Sequence, residues 1–215
     1  MVSCSGFLVC QAGGRGLLRG MRISGGLARG IQLQVPKGDA VRPATDSLRQ
    51  AVFSSLGTVI PDATFVDLFA GSGAYGLEAL SRGASSGAWV EKHARTAGML
   101  KQNVVAVCRS LGRSQNGLET ICDDVLSGRW LASARSVDVV FADPPYPIAE
   151  QVAWRLFELI DAQWESGWPG LVVFEHPGEL ELAPPGWRVR KRIGRGTRQP
   201  CVSMLERAPG PPESA

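Results

Sequence analysis

The sequence predicts an α/β fold built on a mostly parallel seven-stranded sheet, with a small N-terminal arm before it and an antiparallel hairpin at its end. Two features carry this expectation. After Pro61, short apolar runs alternate with stretches of helical period, and the last two β-rich runs are joined only by the Gly-rich link 194–196. Alternating strands and helices imply right-handed βαβ units with helices on both faces of the sheet. A link that short lets them pair antiparallel as a terminal hairpin. At 215 residues and 44% hydrophobic composition, the chain fits one globular domain with extra segments.

The elements follow in order. Residues 1–20 are rich in Gly and small residues, show no regular period and precede a second methionine, Met21, so they read as a disordered extension. In 21–41, apolar alternation such as Ile31, Leu33 and Val35 is broken by glycines, which suits an extended arm or a small hairpin. Pro43 ends that segment, and Thr45 or Asp46 can N-cap a helix carrying Leu48, Val52, Phe53 and Leu56. Residues 21–60 thus form the arm and its helix, and 61–206 the main domain. Strands are expected at 65–69, 88–91, 119–122, 137–142 and 171–175, helices at 74–82, 94–108 and 150–164, and the terminal hairpin at 187–192 and 201–205. Residues 207–215 read as a disordered tail.

Charge is distributed unevenly. The net +3 divides into +5 over residues 1–49, −7 over 50–187, +6 over 188–198 and −1 over 199–215. Basic segments at both ends suit a polyanionic partner, because clustered Lys and Arg release condensed counterions from phosphates. No apolar run is long enough to span a bilayer, and the short apolar stretch 7–10 has no basic segment before it, so a cytoplasmic protein without membrane attachment is expected. Five cysteines without a C-x-x-C pair and only two histidines predict reduced structural thiols and no metal site. A monomer is the default.

The chemistry sits in two loops. After the first strand come Asp67, Leu68, Phe69, Ala70, Gly71, Ser72, Gly73, Ala74, Tyr75 and Gly76. Gly71, Gly73 and Gly76 have the G-x-G-x-x-G spacing that lets backbone approach a nucleotide and aims helix N–H groups at it. Glu91, ending the next strand, can accept from both ribose hydroxyls. A nicotinamide dinucleotide and S-adenosylmethionine both suit these features. Asp67 favours the second, since a carboxylate beside the glycines repels a pyrophosphate but attracts an ammonium and a sulfonium. Asp123 and Asp124 follow the third strand, where one can reach the adenine amino group; Asp124 is preferred, and either can instead cap the next short helix.

The fourth strand runs directly into Asp143, Pro144, Pro145 and Tyr146, at the carboxyl edge where open α/β sheets bind ligands. A base amino group is a poor nucleophile because its lone pair is delocalised, so its protons must be held while nitrogen attacks in line. Asp143 can accept one N–H and a backbone carbonyl beside the prolines another, preorganised by two fixed φ angles. Tyr146 offers a flat face to an unstacked base.

On these residues the chain resembles the bacterial 16S ribosomal RNA guanine-N2 methyltransferases with a D-P-P-Y motif, the small-subunit rRNA methyltransferase D type. The likeness covers roughly 21–205: Met21-Arg22-Ile23-Ser24-Gly25-Gly26 with Arg29-Gly30, Arg42-Pro43-Ala44-Thr45-Asp46 with Arg49, the glycine segment through Ala84, Val90-Glu91-Lys92, and the D-P-P-Y tetrapeptide. Departures are Ala44 for a usual threonine, Ser47 for a frequent arginine, and Ile193-Gly194 for Tyr-Gly. The resemblance implies a Rossmann-like class I methyltransferase domain. It implies Asp143, Pro144, Pro145 and Tyr146 in catalysis, and Asp67, Phe69, Gly71, Ser72, Gly73, Glu91, Asp123 and Asp124 around S-adenosylmethionine. It further implies a guanine of ribosomal RNA within a small-subunit particle as substrate, contacted by Arg22, Arg29, Arg42, Arg49, Arg195 and Arg198. Three other readings fit part of the residues: an adenine-N6 methyltransferase on DNA or RNA, an NAD-dependent oxidoreductase that leaves Asp143 to Tyr146 idle, and an RNA-binding module with a dead site.

Overall fold

The computed structural model describes residues 20–36, 43–132, 134, 137–164, 168, 170–194, 196–197 and 199–209; at 43–45 it describes the backbone alone. The extension 1–19, the end of the tail, and Arg42, Arg195 and Arg198 lie outside the described residues. The elements are α1 (Pro43–Ser55), β1 (Thr64–Leu68), α2 (Ala74–Ser81), β2 (Ser86–Val90), α3 (Ala94–Ser110), β3 (Leu118–Ile121), β4 (Val139–Ala142), α4 (Ala149–Gln163), β5 (Leu171–Pro177), β6 (Trp187–Ile193) and β7 (Pro200–Arg207). They form one seven-stranded sheet in the order β3-β2-β1-β4-β5-β7-β6. Strands β1 to β5 pair in parallel, and β7 runs antiparallel to β5 and β6.

The chain reverses direction across the sheet between β1's two neighbours, β2 and β4, so the carboxyl ends of β1 and β4 open a crevice. Side chains alternate across the pleat. Phe65, Val139, Phe141, Leu171, Val173 and Met204 face a layer with α1, α2 and α3. Val66, Leu68, Val140, Ala142, Val172 and Phe174 face α4 and the turns before β4. Phe53 of α1 is fully buried against the rings of Phe141 and Tyr75, a burial that stabilises by about 1.5–3 kcal/mol.

Residues 21–33 form the small hairpin. Arg22 bridges Gln32, and Leu33 N–H donates to the Met21 carbonyl at 2.8 Å. Three expectations are corrected here. Pro43 does not end an extended segment but begins α1, where its missing N–H costs nothing because first-turn donors lack intrahelical partners anyway. Thr45 and Asp46 lie inside the first turn rather than at the N-cap. Arg207 belongs to β7 rather than to a tail, opposite Trp187 and 2.9 Å from the Asp161 carboxylate. Among the described residues, no helix is long and apolar enough to cross a membrane.

Candidate active site

The glycine loop turns from β1 into α2 with Gly71 at φ +53° and Gly73 at φ +82°, conformations that favour glycine. Phe69 is held at φ +57° between them and the strand, an outlier for a bulky side chain and the kind of strain found at ligand clamps. Gly76 serves packing. A Cβ there would lie 2.4 Å from the Phe65 ring and from Trp89 Nε1, so only glycine lets α2 lie this close to the sheet.

Several polar groups hold the loop in place. Glu91, buried, accepts from Gly71 N–H at 3.0 Å and His93 N–H at 2.8 Å. A carboxylate has about four lone-pair sites, so two ribose hydroxyls can still be accepted. Ser72 turns its hydroxyl to Met21 Sδ at 2.9 Å, and its carbonyl accepts from Asn103 Nδ2 at 2.9 Å. Asn103 also exchanges two hydrogen bonds with the backbone of Gln34. The arm thereby buttresses the loop from behind.

Period-2 alternation brings three acids to one face. Asp67 continues the face of Phe65, Asp143 that of Val139 and Phe141, and Glu175 that of Leu171 and Val173, on the adjacent strands β1, β4 and β5. Asp67 is 2% exposed and accepts from Gly76 N–H at 2.9 Å. Burial pushes its carboxyl up to about 8, the Gly76 bond opposes that, and Glu91 adds to it. Asp143 keeps a solvent-open surface while protein crowds it from the other sides. Desolvation first, then Glu175 and Asp67, push it well above the carboxylate range, and the buried Arg49 opposes. Glu175 accepts from Tyr75 Oη at 2.8 Å and from Tyr146 Oη at 3.2 Å. Burial raises its carboxyl, opposed by the two phenols and Arg49. Burial and Glu175 also push the Tyr75 phenol upward, so it stays protonated and donates.

One assignment changes, and the capping residue of the aspartate pair is identified. Arg49 is 3% exposed, and its guanidinium donates to the Arg22 carbonyl at 2.9 Å and Asp46 at 2.8 Å, with Glu78 at 3.8 Å. A buried, internally paired cation cannot meet an RNA phosphate, so Arg49 ties arm, α1 and α2 together instead. Of the aspartate pair, Asp124 is the residue that caps the next turn, accepting from Leu126 N–H at 3.0 Å, and its other oxygen meets Lys92 at 2.7 Å. Asp123 is pulled down to about 2, first by its hydrogen bonds from Arg129. Either acid exchanges a surface partner if it binds an adenine amino group.

Arg22 and Arg29 are exposed on the hairpin. Tyr75 and Glu175 are site residues that the sequence reading passed over. The signal was present as an acid and a histidine ending the otherwise apolar run 171–176. A separate hollow lined by Val59, Asp62, Asp138, Leu171 and Glu206 lies at the amino ends of the strands, away from these groups.

Carboxyls whose charge a cationic ligand can draw out suit a sulfonium and an ammonium better than a pyrophosphate, which favours an S-adenosylmethionine-dependent methyltransferase over the dinucleotide reading. The family model described as "Conserved hypothetical protein 95" matches residues 21–201. Ribosomal RNA small subunit methyltransferase D of Escherichia coli (strain K12) is 33% identical over 177 residues, covering 80% of this chain and 83% of its own. The protein of that name from Haemophilus influenzae is 35% identical over 185 residues, covering 82% and 89%. Among solved structures, the Escherichia coli protein yhhF superposes with a TM-score of 0.68 at 29% identity, covering 87% of this chain and 97% of its own. The chain belongs to the Conserved hypothetical protein 95 family.

Proposed function

We propose that this protein transfers the methyl group of S-adenosylmethionine to the exocyclic N2 of a guanine in 16S ribosomal RNA, acting in the cytoplasm as a monomer on a small-subunit particle. The observation that carries the reading is Asp143, Pro144, Pro145 and Tyr146 at the carboxyl end of β4, beside the glycine loop and facing the same acidic crevice. The names of the curated relatives support ribosomal RNA as the substrate.

When bound, the cofactor supplies a methyl group already activated by its sulfonium. Glu91 would hold the ribose, the backbone of Phe69, Gly71, Ser72 and Gly73 would meet the nucleoside, Asp67 would attract the ammonium end, and Asp123 or Asp124 would take the adenine amino group. The guanine stacks on Tyr146. Its amino protons are held by Asp143 and by the Pro144 carbonyl, since the Pro145 carbonyl already accepts from Ile148 N–H at 3.0 Å. Transfer would leave the nitrogen cationic, and Asp143, ionised once a cationic cofactor shares the crevice, would accept its proton and release it to solvent. Arg22 and Arg29, with Arg42, Arg195 and Arg198, neutralise phosphates.

The test is methylation of small-subunit particles from a strain lacking this gene, using cofactor with a labelled methyl group, followed by mass spectrometry of the nucleosides. Labelled N2-methylguanosine is expected. Labelled N6-methyladenosine would transfer the assignment to the adenine reading.

A further inference from the structure

We infer that Glu175 is a positioning residue for methyl transfer, its buried carboxylate clamping Tyr146 of the D-P-P-Y loop to Tyr75 of the cofactor-side helix. The inference rests on the reading above, in which Tyr146 carries the base. Glu175 ends an apolar stretch of β5 and is 6% exposed. Burying a carboxylate is costly unless its oxygens are hydrogen-bonded, and an apolar side chain in its place would serve the core at least as well.

Both oxygens are used, and each bond reaches a different half of the site. Oε2 takes the Tyr75 hydroxyl at 2.8 Å and Oε1 the Tyr146 hydroxyl at 3.2 Å. The Tyr75 end is buried and packed. Tyr75 is 8% exposed, its ring stacks on Phe141 with centroids 5.4 Å apart, and the residue lies in the first turn of α2, just after the glycine loop. The Tyr146 end belongs to a half-exposed loop residue in a short 3-10 turn. No cation forms an ion pair with Glu175 among the described residues; the guanidinium of Arg49 acts on it only through space. Two phenols therefore hold the carboxylate, and the carboxylate holds the tyrosine of the base platform against the loop that carries the methyl donor. In-line transfer is steep in distance and angle, so this restraint acts on rate more than on binding.

Single-turnover methylation at saturating cofactor and RNA provides the test, with cofactor and RNA affinities measured alongside. Tyr146→Phe, which keeps the stacking ring, and Glu175→Ala should each slow transfer on the order of 10- to 100-fold with affinities nearly unchanged. The double variant should be no slower than Glu175→Ala alone, since that substitution already cuts the contact that Tyr146→Phe removes. Glu175→Gln can still bond both hydroxyls and should restore most of the rate. Additive losses in the double variant, or a wild-type rate for Tyr146→Phe, overturn the clamp even where Glu175→Ala folds poorly. Asp143→Ala in the same assay separates the two levels. If it is slow while Glu175→Ala is at the wild-type rate, only the clamp is wrong, whereas a wild-type rate for Asp143→Ala removes the underlying site assignment.

Discussion

Replacing Asp67 by Asn should make the cofactor-free protein more stable as pH rises, relative to wild type, while weakening cofactor binding. In the folded chain the Asp67 carboxyl titrates at about 8 instead of 3.8 because burial disfavours its charge. Above pH 3.8 the unfolded chain has released this proton while the folded chain retains it. The stability advantage of the proton-bound fold is therefore complete below about pH 4 and is lost as pH rises towards 8. Asn imitates the neutral acid, keeps a carbonyl for Gly76 N–H and does not titrate, so the variant escapes that decline. Between pH 5 and pH 7 the gap between the two proteins should widen by two pH units at about 1.36 kcal/mol each, or about 2.7 kcal/mol. For a chain of this length that corresponds to roughly 5–11 °C in melting temperature. Urea unfolding of both proteins at pH 5, 6 and 7 measures it. Parallel pH profiles would refute the claim that Asp67 is held neutral by burial. Calorimetric titration should show weaker S-adenosylmethionine binding to the variant, because a charge that the sulfonium draws out is no longer available.

Glu91→Ala removes the ribose acceptor as well as the bond that holds Gly71 N–H, so cofactor affinity should fall roughly 30- to 150-fold by calorimetry, a loss of about 2–3 kcal/mol; an unchanged dissociation constant would place the ribose elsewhere. Gly76→Ala drives a methyl group to 2.4 Å from Phe65 and Trp89 and should cost about 1–3 kcal/mol in denaturant unfolding, whereas unaltered stability would mean that α2 packs further from the sheet. Arg49→Ala removes the bonds to the Arg22 carbonyl and Asp46 that tie the arm to α1, while Glu78 keeps Arg82 and Ser24, and should destabilise the fold by about 1–3 kcal/mol; Arg29→Ala should leave stability alone and reduce the salt slope of RNA binding by roughly 0.7–0.9. The opposite pattern for those two arginines would return Arg49 to the RNA surface.

Most of the architecture was legible because apolar period and glycine punctuation are local properties. The strand–loop–helix at Asp67 to Gly76, the acid ending β2 and the tetrapeptide after β4 all stand where the pattern put them. What escaped was non-local. An arginine on a helix reads as exposed, and Arg49 becomes internal only because Glu78, the Arg22 carbonyl and Asp46 converge on it. Pro43 was read as a breaker since sequence does not distinguish the first position of a helix from the end of an extended segment. Glu175 was visible as an acid in an apolar strand, but its partnership with Asp143 required the register that puts β5 beside β4. For Asp124, the two roles of capping and adenine contact use the same spacing, and only the Leu126 hydrogen bond distinguishes the capping residue.

If Asp143 of the D-P-P-Y loop acts in the chemical step rather than in binding, rate and affinity come apart when it is removed. Single-turnover transfer by Asp143→Ala at saturating RNA and S-adenosylmethionine is measured beside its equilibrium affinities for both. The account predicts a rate lowered on the order of 100-fold or more with both affinities largely retained, because the acceptor acts mainly as nitrogen develops positive charge. Transfer at the wild-type rate would contradict it.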